Sequence, residues 1–70
     1  MNLGKRMRLI RVDNGLTQSE LAEMMRVKQS YISQLELNKL KPTRMYISLI
    51  CLRFKISEEN LLKGEKIVCG

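Results

Sequence analysis

The sequence predicts a small all-α fold of five helices, and three observations carry that expectation. Residues 17–36 read as two short amphipathic helices joined by a tight turn, the pattern of a helix-turn-helix. The composition is rich in aliphatics and methionine and poor in aromatics and glycine, which favours helices over a sheet. The single proline, Pro42, stands between two helical patterns and punctuates them. Seventy residues leave room for one domain only. A core of that size supplies only about 3–5 kcal/mol, so well-packed helices or a partner chain must carry the stability.

The first helix is expected over Leu3–Asp13, with Leu3, Met7 and Ile10 on its buried face and Gly15 ending it. The second spans Gln18–Met25. Thr17 and Glu20 fit a capping box, in which hydroxyl and carboxylate each satisfy an orphan amide at the helix start. Leu21, Ala22 and Met25 then share one face. Ala22 stands where another helix must cross closely, which only a small side chain permits. The third helix, residues 29–37, turns Ile32 and Leu35 inward. Asn38 and Pro42 bracket a basic loop. Thr43 caps a fourth helix, Arg44–Phe54, whose stripe is Ile47, Ile50, Cys51 and Phe54. Ser57 caps a short fifth helix ending near Lys63, with Leu61 and Leu62 inward, and Gly64 stops it. Residues 1–64 thus form the domain, and 65–70 a tail with an apolar patch, Ile67-Val68-Cys69.

The net charge of +6 points to an anionic partner, nucleic acid or an acidic membrane surface. Its placement adds to this. Lys5, Arg6 and Arg8 lie in the first helix, and Lys39, Lys41 and Arg44 cluster just after the third. Two cysteines make no disulfide framework, and a zinc site wants four ligands where histidine is absent. Cys51 reads as a small core residue and Cys69 as an exposed tail thiol, both suited to a reducing cytoplasm. No apolar run follows the basic N-terminal residues, so no signal peptide is expected, nor any membrane span. An enzyme is not expected either. The chain has no histidine, no glycine-rich phosphate loop and no convergent acid pair, and its serines lack a base. No cofactor and no metal site are implied.

Residue by residue, the chain resembles the Cro and phage-repressor type of helix-turn-helix protein, the xenobiotic-response-element (XRE) class. Arg11, Gly15-Leu16-Thr17-Gln18, Glu20-Leu21-Ala22, Tyr31-Ile32-Ser33-Gln34-Leu35-Glu36, Lys41-Pro42, Ile47, Ile50, Ile56-Ser57 and Leu61-Leu62 fall in that family's register without a gap. The resemblance implies a compact, lambda-repressor-like domain whose second and third helices form the helix-turn-helix. Three positions depart from the family. Arg26 and Lys55 stand where glycine is usual, and Asn38 replaces a frequent glycine after the third helix. Left-handed backbone at Arg26 and Lys55 would cost roughly 1 kcal/mol each relative to glycine, whereas asparagine tolerates that conformation.

With Ile32 and Leu35 inward, about 100° per residue turns Ser30, Ser33, Gln34 and Leu37 to the opposite face, and Gln29 flanks it. That surface is short, polar and free of acid. In the family the N-terminal part of this helix enters the major groove. Glutamine can pair bidentately with adenine, and serine bonds either kind of base edge. The resemblance therefore assigns base reading to Gln29, Ser30 and Ser33, with Lys28 and Gln34 close behind. From the residues alone the same face reads as merely solvated. Gln18 opens the second helix, where free amides and the positive dipole end favour a phosphate. The family uses the matching glutamine to contact a phosphate and brace the recognition helix. Lys39, Lys41 and Arg44 are expected to grip the DNA backbone with salt-dependent affinity. Lys5, Arg6 and Arg8 read equally as a phosphate grip or a solvated face. Tyr31 either reaches a phosphate or thymine methyl, or covers the core edge. Arg11 and Glu36 match family positions that pair across helices, so a structural salt bridge is expected there.

The expected function is a sequence-specific, double-stranded DNA-binding regulator, a repressor occupying a palindromic promoter operator as a homodimer. Bacterial or phage origin and a cytoplasmic, nucleoid-associated setting follow from the same resemblance. The fifth helix and the tail are the expected dimer contacts. The alternative is a protein-binding module of the same fold, such as an antitoxin or anti-repressor, for which Leu9, Val12 and Leu37 on outer faces, with Ile67 and Val68 in the tail, offer apolar surface. A membrane-surface peptide fits less well, because basic and apolar residues interleave with core-forming order.

Overall fold

The structure, a computed structural model, describes residues 2–63. Its helices are α1 (Leu3–Asp13), α2 (Gln18–Met25), α3 (Gln29–Glu36), α4 (Arg44–Phe54) and α5 (Glu58–Leu61). Local chemistry starts four of them. Asn2, Thr43 and Ser57 accept from the amides of Lys5, Tyr46 and Asn60 at the starts of α1, α4 and α5. At α2 the capping box is complete: Thr17 Oγ1 accepts from Glu20 N at 3.0 Å, and Glu20 Oε1 accepts from Thr17 N at 2.9 Å. Those bonds, the one from the Thr17 amide first, hold the Glu20 carboxyl below the usual carboxylate range. At α3 the cap is Lys28, whose side chain bonds no amide.

Four helices end alike. A residue in left-handed backbone, Gly15, Arg26, Asn38 or Lys55, follows the last turn. The amide after it reaches back to a carbonyl five residues earlier: Leu16 to Arg11, Val27 to Ala22, Lys39 to Gln34 and Ile56 to Cys51. This closure satisfies carbonyls that the helix end would otherwise orphan. Arg26 and Lys55, standing where the family usually has glycine, adopt left-handed backbone at φ 58° and 56°.

Leu21, Ile32, Ile47 and Ile50 are fully buried, one from α2, one from α3 and two from α4. Leu3, Met7, Ala22, Leu35, Tyr46, Cys51 and Leu61 enclose them, so every helix contributes to one core. A buried aliphatic side chain of this kind stabilises by about 1.5–3 kcal/mol. Cys51 is buried as expected, and that burial pushes its thiol upward in pKa. Ile10, Met25, Phe54 and Leu62 pack against this core at partial burial.

Three expectations need correction. The third helix stops at Glu36 and the fifth at Leu61, because Leu37 and Leu62 already serve as their C-caps. Arg6 is neither a phosphate grip nor a solvated cation. Its guanidinium donates to the carbonyl of Leu61 at 3.0 Å and to that of Lys63, tying α1 to the carbonyl end of α5. The expected tail, 65–70, with Cys69, lies outside the described residues.

Candidate nucleic-acid interface

α2 and α3 form the helix-turn-helix, and α1 packs across the back of α3. The seam between α1 and α3 depends on Gly4, which is buried. A Cβ there would lie 2.6 Å from the carbonyl of Glu36 and 2.8 Å from that of Leu35. Gly4 N donates to Asn38 Oδ1 at 3.0 Å, so Asn38 supplies both the left-handed turn after α3 and a cap for α1. Sequence reasoning missed Gly4. The available signal was an isolated glycine inside a helical pattern, whose helix cost implies a packing reason.

Arg11 and Glu36 meet as expected. Arg11 Nε lies 2.7 Å from Glu36 Oε2 and Nη2 lies 3.0 Å from Oε1, a two-pronged pair. Arg11 Nη1 also donates to the carbonyl of Leu16 at 2.9 Å. The side chains are 13% and 6% exposed, so water screens the pair little. The hydrogen bond to Glu36 raises the guanidinium's pKa further, while burial works against it. Gln18 Nε2 donates to the same Glu36 Oε1 at 3.1 Å. One carboxylate on α3 therefore clamps α1 and the first residue of α2. The clamp fixes the pitch of α3 without drawing on any residue of its outer face.

That outer face starts with Lys28, Gln29 and Ser30, all exposed, and continues to Gln34. Ser19 Oγ donates to Gln29 Oε1 at 3.4 Å, a contact from α2 that orients the glutamine. Ser33 is half-buried in a cleft beside Arg8, Gln18 and the Arg11–Glu36 pair. Tyr31 leans towards α4. Its hydroxyl accepts from Thr43 N at 3.2 Å, and its ring meets Tyr46 edge to face at 5.4 Å. Burial pushes the Tyr46 phenol well above its ordinary pKa. These contacts dock the N-terminus of α4, and with it the basic loop, beside the first turn of α3. Lys39, Lys41 and Arg44 are exposed along that border. The geometry brings together a polar, acid-free helix edge, a cationic loop and the amide end of α2, an arrangement suited to a groove flanked by phosphates.

Comparison with known proteins agrees with this geometry. A family model described as a helix-turn-helix domain matches residues 4–67. No curated protein matches the chain. Among solved structures, the chain is similar to the crystal structure of SinR, a master regulator for biofilm formation, in complex with DNA. The TM-score is 0.79 at 30% identity, over 89% of this chain and 100% of that one. By the family match and the structural likeness, the chain belongs to the XRE-type helix-turn-helix family of non-enzymatic, DNA-binding transcription regulators.

Proposed function

We propose that this chain occupies a palindromic promoter operator as a homodimer and represses transcription from it. The observation that carries the reading is the polar first turn of α3, held rigidly from behind by the Arg11–Glu36–Gln18 clamp and bordered by Lys39 and Lys41. Gln29, Ser30 and Ser33 read bases, with Lys28 and Gln34 at the edges of the footprint. Gln18, Lys39, Lys41 and Arg44 hold phosphates, and Tyr31 reaches one from the border of α4. A single recognition helix spans only a few base pairs, so selectivity among genomic sites calls for two half-sites about one helical turn apart. The likeness to a regulator solved in complex with DNA supports DNA as the partner.

Selection of bound sites from a random duplex library, at near-physiological salt, tests the reading. The expected result is a palindromic motif. Folded protein that enriches no motif overturns it. On the selected site, Gln29→Ala and separately Ser30→Ala are expected to cost about 1–3 kcal/mol and to relax base preference. Equal losses on random DNA would remove them from the base-reading set. Lys41→Ala, by contrast, is expected to weaken binding to all sequences and lower the salt slope by about one unit.

A further inference from the structure

α4 is apolar on two sides. Tyr46, Ile47, Ile50 and Cys51 face the core. On the far side Met45, Leu49 and Leu52, spaced by four and then three residues, share one face and remain 74%, 47% and 79% exposed. Leu49 and Leu52 line a groove with Met24 and Met25 of α2, flanked by Arg26 and Arg53. On the opposite flank of the same stripe, a second groove runs past Leu52 to Glu58 and Glu59, with Lys55 among them. Single exposed aliphatics are ordinary. Three on one face, continuous with Met24 and Met25, form the kind of contiguous apolar patch found at interaction sites.

We infer that this stripe pairs with its counterpart on a second copy, the two α4 helices running in the same direction; the inference rests on the homodimer proposed above. Two arguments fix the occupant and its orientation. The first is charge. When two identical stripes meet in the same direction, each flank lies against the opposite flank of the partner. Arg26 and Arg53 then face the partner's acidic flank. The reverse direction sets arginines against arginines and glutamates against glutamates, which costs affinity. An acidic segment from another protein would suit one flank and be repelled by the other. The second argument is the position of α3. The Tyr31–Thr43 hydrogen bond and the Tyr31–Tyr46 ring contact place the N-terminus of α4 beside the first turn of α3. A two-fold axis running along α4 keeps both first turns at one end of the dimer, where a two-fold operator meets them. The reverse pairing sends them to opposite ends.

Sedimentation equilibrium of the full chain without DNA tests the surface. The expected mass is twice the 8.2 kDa chain. Leu52→Asp is expected to weaken association about tenfold or more. Its helix content and melting should match the parent's under monomeric conditions, because the side chain it replaces makes little core contact. Met45→Cys and Leu52→Cys, each alone in a Cys69→Ser background, read the orientation through a short bis-maleimide. Same-direction pairing links each variant to itself, whereas the reverse pairing links Met45→Cys only to Leu52→Cys in a mixture. A wild-type monomer at every concentration, a dimer indifferent to Leu52→Asp, or mixed links only would each overturn the proposal. Operator selection is scored separately. A protein that enriches a palindrome while its dimer ignores Leu52→Asp keeps the proposed function and loses this interface.

Discussion

Around one core, α1–α3 hold each other through a part-buried polar clamp, whereas α4 and α5 meet mainly through apolar packing and leave the far side of α4 apolar as well. The difference fits the roles proposed for the two halves. A surface that reads bases must be polar outside, so the rigidity of α3 has to come from behind it. Arg11, Gln18 and Glu36 supply that rigidity with directional bonds, where apolar contacts would tolerate sliding. A surface that pairs with another copy needs no such precision. It needs apolar area at its centre and charge at its flanks.

The largest expected effect separates the halves most sharply. Glu36→Ala leaves the Arg11 guanidinium largely buried without its carboxylate and removes the acceptor of Gln18. The expected loss is about 3–5 kcal/mol, comparable to the whole stability that a core of this size supplies. Arg11→Ala is expected to act in the same way, lowering stability more than it alters base preference. Leu52→Ser, in the other half, should stay within about 0.5 kcal/mol, measured where the protein is monomeric. Urea unfolding of these variants decides the matter. A Glu36→Ala protein as stable as Leu52→Ser would erase the contrast.

Legibility in the sequence followed the distance along the chain that a contact spans. The expected starts of α2, α4 and α5 lie at Thr17, Thr43 and Ser57, whose capping bonds reach only three residues along the chain; the equally local Asn2 cap of α1 was not among the expectations. The clamp spans 25 residues. Neither Arg11 nor Glu36 announces its partner by spacing, so only the family register joined them. Gly4–Asn38 and Arg6–Leu61 span 34 and 55 residues and had no such guide. The outer stripe of α4 was hidden for a different reason. In Met45–Phe54 nearly every position is apolar, so the period that picks out Ile47, Ile50 and Cys51 masks a second stripe at Met45, Leu49 and Leu52. Only burial, a three-dimensional quantity, separates the two.

A smaller effect tests whether the first half depends on close approach as well as on charge. Gly4→Ala brings a methyl group to within 2.6 Å of the Glu36 carbonyl oxygen, a backbone atom that cannot rotate away. Overpacking of this kind costs about 1–3 kcal/mol, against a helix-propensity gain of roughly 1 kcal/mol for replacing glycine. A lower melting temperature is expected. A higher one would show that propensity dominates and that α1 and α3 can separate without harm to the clamp. The experiment sharpens the comparison because Glu36 carries both the crowded carbonyl and the clamping carboxylate.

The smallest expected effects fall once in each half and should be alike in folding. Arg26 and Lys55 end α2 and α4 at φ 58° and 56°. Glycine at either position relieves left-handed strain, so Arg26→Gly and Lys55→Gly should each add up to about 1 kcal/mol to monomer stability. Thermal melts at low concentration measure this, and a loss at either site would mean that its side chain does more than end a helix. Association should split them. Arg26 lies on the basic flank of the α4 stripe and Lys55 on the acidic flank. Removing Arg26 weakens the attraction between unlike flanks, while removing Lys55 leaves the acidic flank more negative and strengthens it. Two substitutions with one sign in folding and opposite signs in dimerisation would separate backbone strain from interface charge. The same sign in both would return the asymmetry between the halves to the backbone alone.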